Sequence, residues 1–303
     1  MGTKAFAPAK VNLALYLTGL RADGYHLLDS LVVFADVGDW LTASPAATLS
    51  LTLGGPRSAG VPTDDSNLVL RAAHLLRRLR QVSLGAAIHL DKHLPHGGGI
   101  GGGSSDAAAT IRLLADLWQV LPLTPTEALP LGADIPVCLA APCPTRMRGI
   151  GEILTPAPPL PPGWLVLVNP GIHLPTAAVF KQHDLRVGAS PNDPHVTLDT
   201  APQPRDPQGF THWLHTQHNT LTNVVSTLAC APVIQKILHQ LRHSPGCHAT
   251  DMSGSGSTCW AWFSDQAQAR AAAANFVDQP MFWTAVARTL TPQDPLLSAD
   301  RPA

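Results

Sequence analysis

The run Leu94-Pro95-His96-Gly97-Gly98-Gly99-Ile100-Gly101-Gly102-Gly103-Ser104-Ser105-Asp106 constrains this chain more than any other segment. Six glycines in seven positions leave consecutive backbone N–H groups with almost no side-chain cover. The run flows into Ala107-Ala108-Ala109-Thr110-Ile111-Arg112-Leu113-Leu114, a strong helix former. Ser104, Ser105 and Asp106 are good N-cap and first-turn residues, so the spacing predicts a helix over 105–118. A glycine loop that opens a helix aims N–H groups and the positive dipole end at one point. That makes an anion site, with phosphate as the usual occupant. A flexible linker explains the run poorly, because linkers seldom end in a cap and a helix.

Gly97, Gly99 and Gly102 fit the dinucleotide pattern G-x-G-x-x-G. The acidic residue that pattern needs about 20 positions later is missing, since Leu121-Pro122-Leu123-Thr124 stands there. The run has no G-K-[ST] ending, and the protein-kinase signatures are absent. A nucleoside triphosphate site of another kind is expected.

At 303 residues the chain can bury a substantial core, and two domains are expected. A net charge of −1 provides no field to draw in nucleic acid or an anionic membrane, so neither is an expected partner. Five cysteines with no C-x-x-C pair predict reduced thiols in a cytoplasmic protein, not disulfides or a zinc site. The apolar stretch after Lys10 is interrupted by Asn12 and Tyr16, and no small-residue cleavage site follows, so no signal peptide is expected. No run approaches the ~18 apolar residues a membrane helix needs.

Residues 9–17 alternate as a strand does, with Val11, Leu13, Leu15 and Leu17 on one face and Lys10, Asn12, Ala14 and Tyr16 on the other. Asp23-Gly24 signals a turn. Strands are predicted at 31–41, 48–53 and 87–90, with an amphipathic helix over 67–80. The proline-rich stretch 156–162 marks a boundary between domains 1–157 and 158–303. Beyond it, strands at 164–169, 258–263 and 281–290 and helices at 219–243 and 265–277 predict helices covering one sheet. Residues 184–209 read as a long mobile connection.

Two further segments carry polar chemistry. In Leu131-Gly132-Ala133-Asp134-Ile135-Pro136-Val137, Asp134 stands in apolar surroundings, as a turn cap or as a partly desolvated general base. Met252-Ser253-Gly254-Ser255-Gly256-Ser257-Thr258 is either a tight hairpin or a second glycine loop closing on the same ligand.

Together these segments resemble the GHMP small-molecule kinases, a superfamily that includes galactokinase, homoserine kinase and mevalonate kinase. Pro95 to Ser105 fits its P-x-x-x-G-[IL]-G-[GS]-S-[AS] loop, and Ser253 to Thr258 fits its C-terminal glycine loop. Ala7-Pro8-Ala9-Lys10-Val11-Asn12-Leu13, Arg21-Ala22-Asp23-Gly24-Tyr25-His26, Gly151-Glu152-Ile153-Leu154, Asn169-Pro170-Gly171 and Pro175-Thr176 followed by Phe180 resemble the branch that phosphorylates a cytidine-diphosphate-linked methylerythritol. The resemblance implies a two-domain α+β fold. Its N-terminal domain would be α/β, like ribosomal protein S5, and its C-terminal domain α+β, like ferredoxin. The cofactors would be ATP and Mg²⁺, with no resident protein metal, and the protein a monomer or weak homodimer.

The same resemblance implies roles. Lys10 and Asp134 would be catalytic, Asp134 taking the acceptor proton beside the Lys10 charge. Pro95, His96, Gly97, Gly98, Gly99, Ile100, Gly101, Gly102, Gly103, Ser104 and Ser105 would cradle ATP, with Asn67 and Lys92 bordering the adenosine. Asn12 would hold the methylerythritol hydroxyls. Tyr25, His26 and Phe180 would form the cytosine pocket, with Thr176 nearby. The segment 123–131 is shorter than in that branch, with Pro130 in place of a continuing helix. Residues 219–223 lack the acidic residues usual there and are assigned no role. Two rivals remain: a kinase for another small alcohol such as homoserine or mevalonate, and a nucleotide-binding regulator without chemistry. His212, His215, His218, His239 and His243 read as solvated helix faces, as do Arg77, Arg78 and Arg80.

Overall fold

The computed structural model describes residues 3–187, 198 and 207–294. β1 (Thr3–Leu20) and β2 (His26–Ala46) form a long antiparallel hairpin around the Asp23-Gly24 turn, where Gly24 takes a φ of 86°. β3 (Leu49–Gly54) and α1 (Leu68–Leu79) follow. β4 (Gly85–Asp91) then inserts between β3 and β2, parallel to the first and antiparallel to the second. The glycine run joins β4 to α2 (Gly102–Trp118). Two short helices, α3 (Pro125–Ala128) and α4 (Ile135–Leu139), flank a 3-10 turn at Leu129–Leu131. β5 (Thr145–Gly149) and β6 (Ile153–Pro156) complete a sheet of order β3-β4-β2-β5-β6, with β1 on β2.

The second sheet is antiparallel. It is built from β7 (Trp164–Asn169), β8 (Ala249–Met252), β9 (Cys259–Phe263) and β10 (Trp283–Arg288) in the order β10-β7-β9-β8. Between β7 and β8 run α5 (Thr176–Val187), α6 (Pro207–Thr216), α7 (Thr220–Val225) and α8 (Ala231–Arg242); α9 (Gln266–Ala274) precedes β10. One buried cluster joins the sheets: Val11 and Leu13 of β1 pack with Leu165, Leu167, Trp260 and Trp262. The seam between the sheets is therefore a packed core, and the glycine run lies along it.

Several expectations need correction. The strand expected at 9–17 spans 18 residues, and its register shifts between Pro8 and Ala9, Asn12 and Ala14, and Leu17 and Gly19. Each irregularity changes the face that following side chains take. Leu13 and Tyr16 therefore share one core cluster while Leu15 joins another. The helix expected to start at Ser105 starts at Gly102. Gly101 caps it in the left-handed conformation and, being glycine, offers no side-chain cap, while the Ser105 and Asp106 side chains bond elsewhere. The helix expected over 219–243 is two helices, with Pro232 opening the second in the first turn, where its missing N–H costs nothing. The ends of 184–209 belong to α5 and α6, and most of that stretch lies outside the described residues.

Local chemistry explains the elements near the site. Asn67 caps α1 by accepting from the Val69 N–H at 2.8 Å, a contact worth about 1 kcal/mol. Val69, Leu70, Ala72, Ala73, Leu75 and Leu76 of that helix are buried. Arg80 is a tether, not a solvated face. It donates to both Glu127 oxygens, at 2.9 and 2.7 Å, and to the carbonyls of Leu121 and Pro122. The guanidinium holds the Glu127 carboxyl well below the usual range. The short connection into Asp134 is thereby pinned to the end of α1. All five cysteines are free thiols. Among the described residues, no helix is long and apolar enough to cross a membrane.

Candidate active site

Gly97, Gly99 and Gly101 take φ values of 64°, 75° and 64°, which only glycine adopts without strain. Ile100, the one apolar residue among them, is fully buried beside Ala9, Val11 and Leu94 and anchors the loop to the core. Its carbonyl accepts from the Lys10 N–H at 2.9 Å. The Lys10 side chain runs along the loop so closely that a Cβ on Gly101 would stand 3.0 Å from Lys10 Cβ. At its end, Lys10 Nζ lies 3.0 Å from Asp134 Oδ1. Lys10 is 3% exposed and the Asp134 side chain 40%, so the carboxylate opens to solvent at the mouth of the glycine run. Asp134 sits at the N-terminus of α4 but makes no cap hydrogen bond with its side chain, which leaves the carboxylate to Lys10.

The loop Ser253 to Thr258 is both a hairpin, between β8 and β9, and a second wall of this site. Ser253 Oγ donates to the Gly99 carbonyl at 3.0 Å and accepts from the Asn12 N–H at 3.1 Å. The Thr258 N–H donates to the Gly98 carbonyl at 3.0 Å. Asn169 Nδ2 donates to Thr258 Oγ1 at 2.9 Å. Thr176 Oγ1 lies 2.9 Å from Ser255 Oγ. Asn12 is fully buried; its Nδ2 donates to Ser30 Oγ at 2.7 Å, while its Oδ1 has no partner among the described residues. A buried acceptor left open is costly unless a ligand hydroxyl fills it.

The two serines that follow the glycines differ. Ser105 is buried and its Oγ donates to the Pro8 carbonyl at 2.7 Å, tying α2 to β1. Ser104 is half-buried in the first turn, and its hydroxyl makes no hydrogen bond to the described residues. At the loop entrance Pro95 lies close to Gly98, and the His96 ring stacks on His173 with centroids 6.5 Å apart. Burial, with Lys92 and His173 nearby, lowers the His96 pKa.

Lys92 and Asn67 have structural partners. Lys92 is 2% exposed, and its ammonium is paired with Asp39 and, at 2.7 Å, with Asp106. Asp39 also accepts from the His93 and Leu94 N–H groups, fixing the entry to the glycine run. Burial pushes the Asp106 carboxyl up to about 8 against the pull of Lys92, and its Oδ1 has no partner among the described residues. The two flanking carboxylates outweigh desolvation at Lys92, whose pKa is raised, so the ammonium stays charged. Asp106, expected as a helix cap, is thus half of a buried clamp. The signal was there in Asp39, an acid inside an apolar strand, but its partner was not.

The base-pocket candidates come together in part. His26 and Phe180 lie with ring centroids 4.7 Å apart. Tyr25 is 58% exposed, and among the described residues its ring stacks on neither. Asp184, not foreseen, meets His26 Nε2 at 2.6 Å, and His183 lies edge-on to His26. The ligand-type atoms of His26, His183 and Asp184 fall within 4.8 Å of one another. The 2.6 Å contact is a hydrogen bond; ligands about 2.0–2.2 Å from a shared ion would stand farther apart. Asn219, left without a role, is a support for the second loop. It caps α7, and its Nδ2 donates to the Met252 and Gly254 carbonyls at 2.8 and 2.7 Å.

Two glycine loops meeting over a lysine–aspartate pair define a small-molecule kinase of the GHMP class. The family model "GHMP kinases N terminal domain" matches residues 67–143, and "GHMP kinases C terminal" matches residues 205–280. A 4-diphosphocytidyl-2-C-methyl-D-erythritol kinase of Jannaschia sp. (strain CCS1) is 51% identical, with 89% of this chain and 92% of that one covered. The protein of that name from Paramagnetospirillum magneticum is 50% identical over 94% and 98% of the two chains. A crystal structure of 4-(cytidine 5'-diphospho)-2C-methyl-D-erythritol kinase superposes with a TM-score of 0.75 at 29% identity, covering 95% of this chain and 99% of that one. The chain belongs to the GHMP kinases, within the family of 4-diphosphocytidyl-2-C-methyl-D-erythritol kinases.

Proposed function

We propose that this protein transfers the γ-phosphoryl group of ATP to the 2-hydroxyl of 4-diphosphocytidyl-2-C-methyl-D-erythritol, a step in non-mevalonate isoprenoid precursor synthesis. The observation that carries the reading is the Lys10–Asp134 pair at the mouth of the glycine run. An alcohol is too weak an acid to ionise at neutral pH. The Asp134 carboxylate takes its proton as the bond to phosphorus develops, and the Lys10 charge stabilises the forming alkoxide. The loop Pro95 to Ser105 turns bare N–H groups and the α2 N-terminus toward the phosphates. The open Asn12 Oδ1 accepts from a hydroxyl of the methylerythritol. His26 and Phe180 receive the cytosine, with Thr176, at the start of α5, reaching Ser255 of the second loop.

Phosphoryl transfer asks mainly for positioning and charge stabilisation. Mg²⁺ fits the site, because Ser104 offers a hard oxygen with no partner among the described residues and Asp134 is open to solvent. Held by Ser104 and Asp134, it would neutralise charge on the ATP phosphates. Asn67 and Lys92 act beneath the nucleotide through their cap and clamp. We propose the reading for a cytoplasmic protein, monomeric or weakly dimeric, of two units divided near residue 157.

A coupled ADP-release assay with Mg²⁺ tests the assignment over a panel of cytidylylated methylerythritol, free methylerythritol, homoserine and mevalonate. Turnover confined to the cytidylylated substrate is expected. Equal turnover of any other alcohol overturns the substrate, and no ADP release with any of them leaves the regulator reading.

A further inference from the structure

His26 opens β2, while Phe180 and Asp184 lie one helical turn apart on α5. Side chains at i and i+4 share a helix face. One face of α5 therefore delivers an aromatic ring and a carboxylate to the same imidazole, the ring at 4.7 Å between centroids and Asp184 Oδ1 at 2.6 Å from Nε2. An ionised carboxylate only accepts hydrogen bonds, so the nitrogen facing it must carry the hydrogen. His26 is then the Nε2–H tautomer, and in the neutral ring Nδ1 holds the lone pair. Nδ1 has no partner among the described residues and is not a buried orphan atom, so it is open to a ligand.

The two pyrimidines differ at the position this nitrogen can read. Cytosine carries an amino group at C4, a donor, where uracil carries a carbonyl oxygen, an acceptor. An accepting Nδ1 pairs with the amino group and leaves the uracil oxygen facing a lone pair. We propose that Asp184 is a positioning residue that locks His26 in the Nε2–H tautomer and so makes the pocket select a 4-aminopyrimidine nucleotide over a 4-oxo one. The inference rests on the proposed docking of cytidine at His26 and Phe180.

The test pairs kinetics with a spectroscopic readout on wild type, Asp184→Ala and Asp184→Glu. Steady-state rates are measured with cytidine- and uridine-diphosphate-linked methylerythritol, and the His26 ring is followed by ¹⁵N NMR. Wild type is expected to show Nε2–H. Asp184→Ala is expected to show mixed tautomers and a KM for the cytidine substrate raised about tenfold, as for loss of one charge-assisted hydrogen bond. Its kcat and its KM for ATP should stay near wild type, its preference for cytidine over uridine should shrink, and Asp184→Glu should restore both. An Nδ1–H tautomer in the wild type overturns the proposal, as does an undiminished cytidine preference in Asp184→Ala. An equal rise in the KM for ATP, marking a merely structural role, overturns it too. If wild type turns over neither substrate, the proposed function fails, and the tautomer measurement by itself still decides the role of Asp184.

Discussion

Lys10 Nζ and Asp134 Oδ1 stand 3.0 Å apart, the first buried on β1 and the second half-open at the start of α4. Because both serve one proton transfer, their losses should not add. Asp134→Asn keeps the shape and removes the base, and a loss of roughly 10²–10⁴ in kcat is expected. Lys10→Met, which keeps the stem packed on Gly101, should lose a comparable amount with ATP affinity little changed. The double variant should be hardly worse than the poorer single one. Additive losses in steady-state kinetics would mean separate roles.

The two glycine loops touch where no side chain fits. A Cβ on Gly99 would collide with the carbonyl oxygens of Ser253 and Gly256, and its φ of 75° penalises any other residue. Gly99→Ala should therefore separate the loops and weaken binding of an unhydrolysable ATP analogue by about tenfold or more, the equivalent of roughly 1.4 kcal/mol. Gly102 behaves differently: its Cβ would stand 3.2 Å from Lys92 Nζ, so Gly102→Val should strain the buried clamp and lower the Tm as well. Calorimetry showing wild-type affinity for Gly99→Ala would return the glycine run to a linker.

Asp106 makes stability depend on pH. Its folded value of about 8 lies above the roughly 4 of an unfolded Asp, so between those values the folded chain holds the extra proton. Stability should fall as pH rises through that window and level off above it. Asp106→Asn keeps the shape and removes the titrating carboxyl, so it should flatten the slope. Thermal melts of both proteins from pH 5 to 9 decide this, and parallel curves would mean that Asp106 is ionised in the fold.

The base pocket should answer to single substitutions. His26→Ala leaves a polar edge unpaired, at a cost of about 1–3 kcal/mol in binding the cytidine substrate. Phe180→Ala removes a stacking face worth about 1–3 kcal/mol. Tyr25→Ala should lose a similar amount once the exposed ring closes on the base. In each case the KM for ATP should hold. Unchanged KM for the cytidine substrate in all three variants would put the base elsewhere.

The legible part of this protein is what local rules decide. A dense glycine run leading to an alanine-rich segment can only be an exposed-backbone loop opening a helix, and the hydrophobic period places α1, β4, β7 and β9 nearly to their ends. Asp134 was legible as a candidate because it is an acid in an apolar stretch, and the second loop because of its glycines and serines, while Lys10 became one only through the resemblance. Their meeting was the expectation of a resemblance, and the structure brings Lys10 and Asp134 to 3.0 Å. What the sequence could not reveal are partners chosen by register and packing: Asp39 and Asp106 around Lys92, Asp184 against His26, and Asn219 beneath Gly254. A charge or amide has the same local propensity whichever distant group it meets. Only the bulges of β1, the crossing of the two sheets and the seating of α5 decide which groups share a water-poor space, and there an unpaired polar atom is too costly to leave.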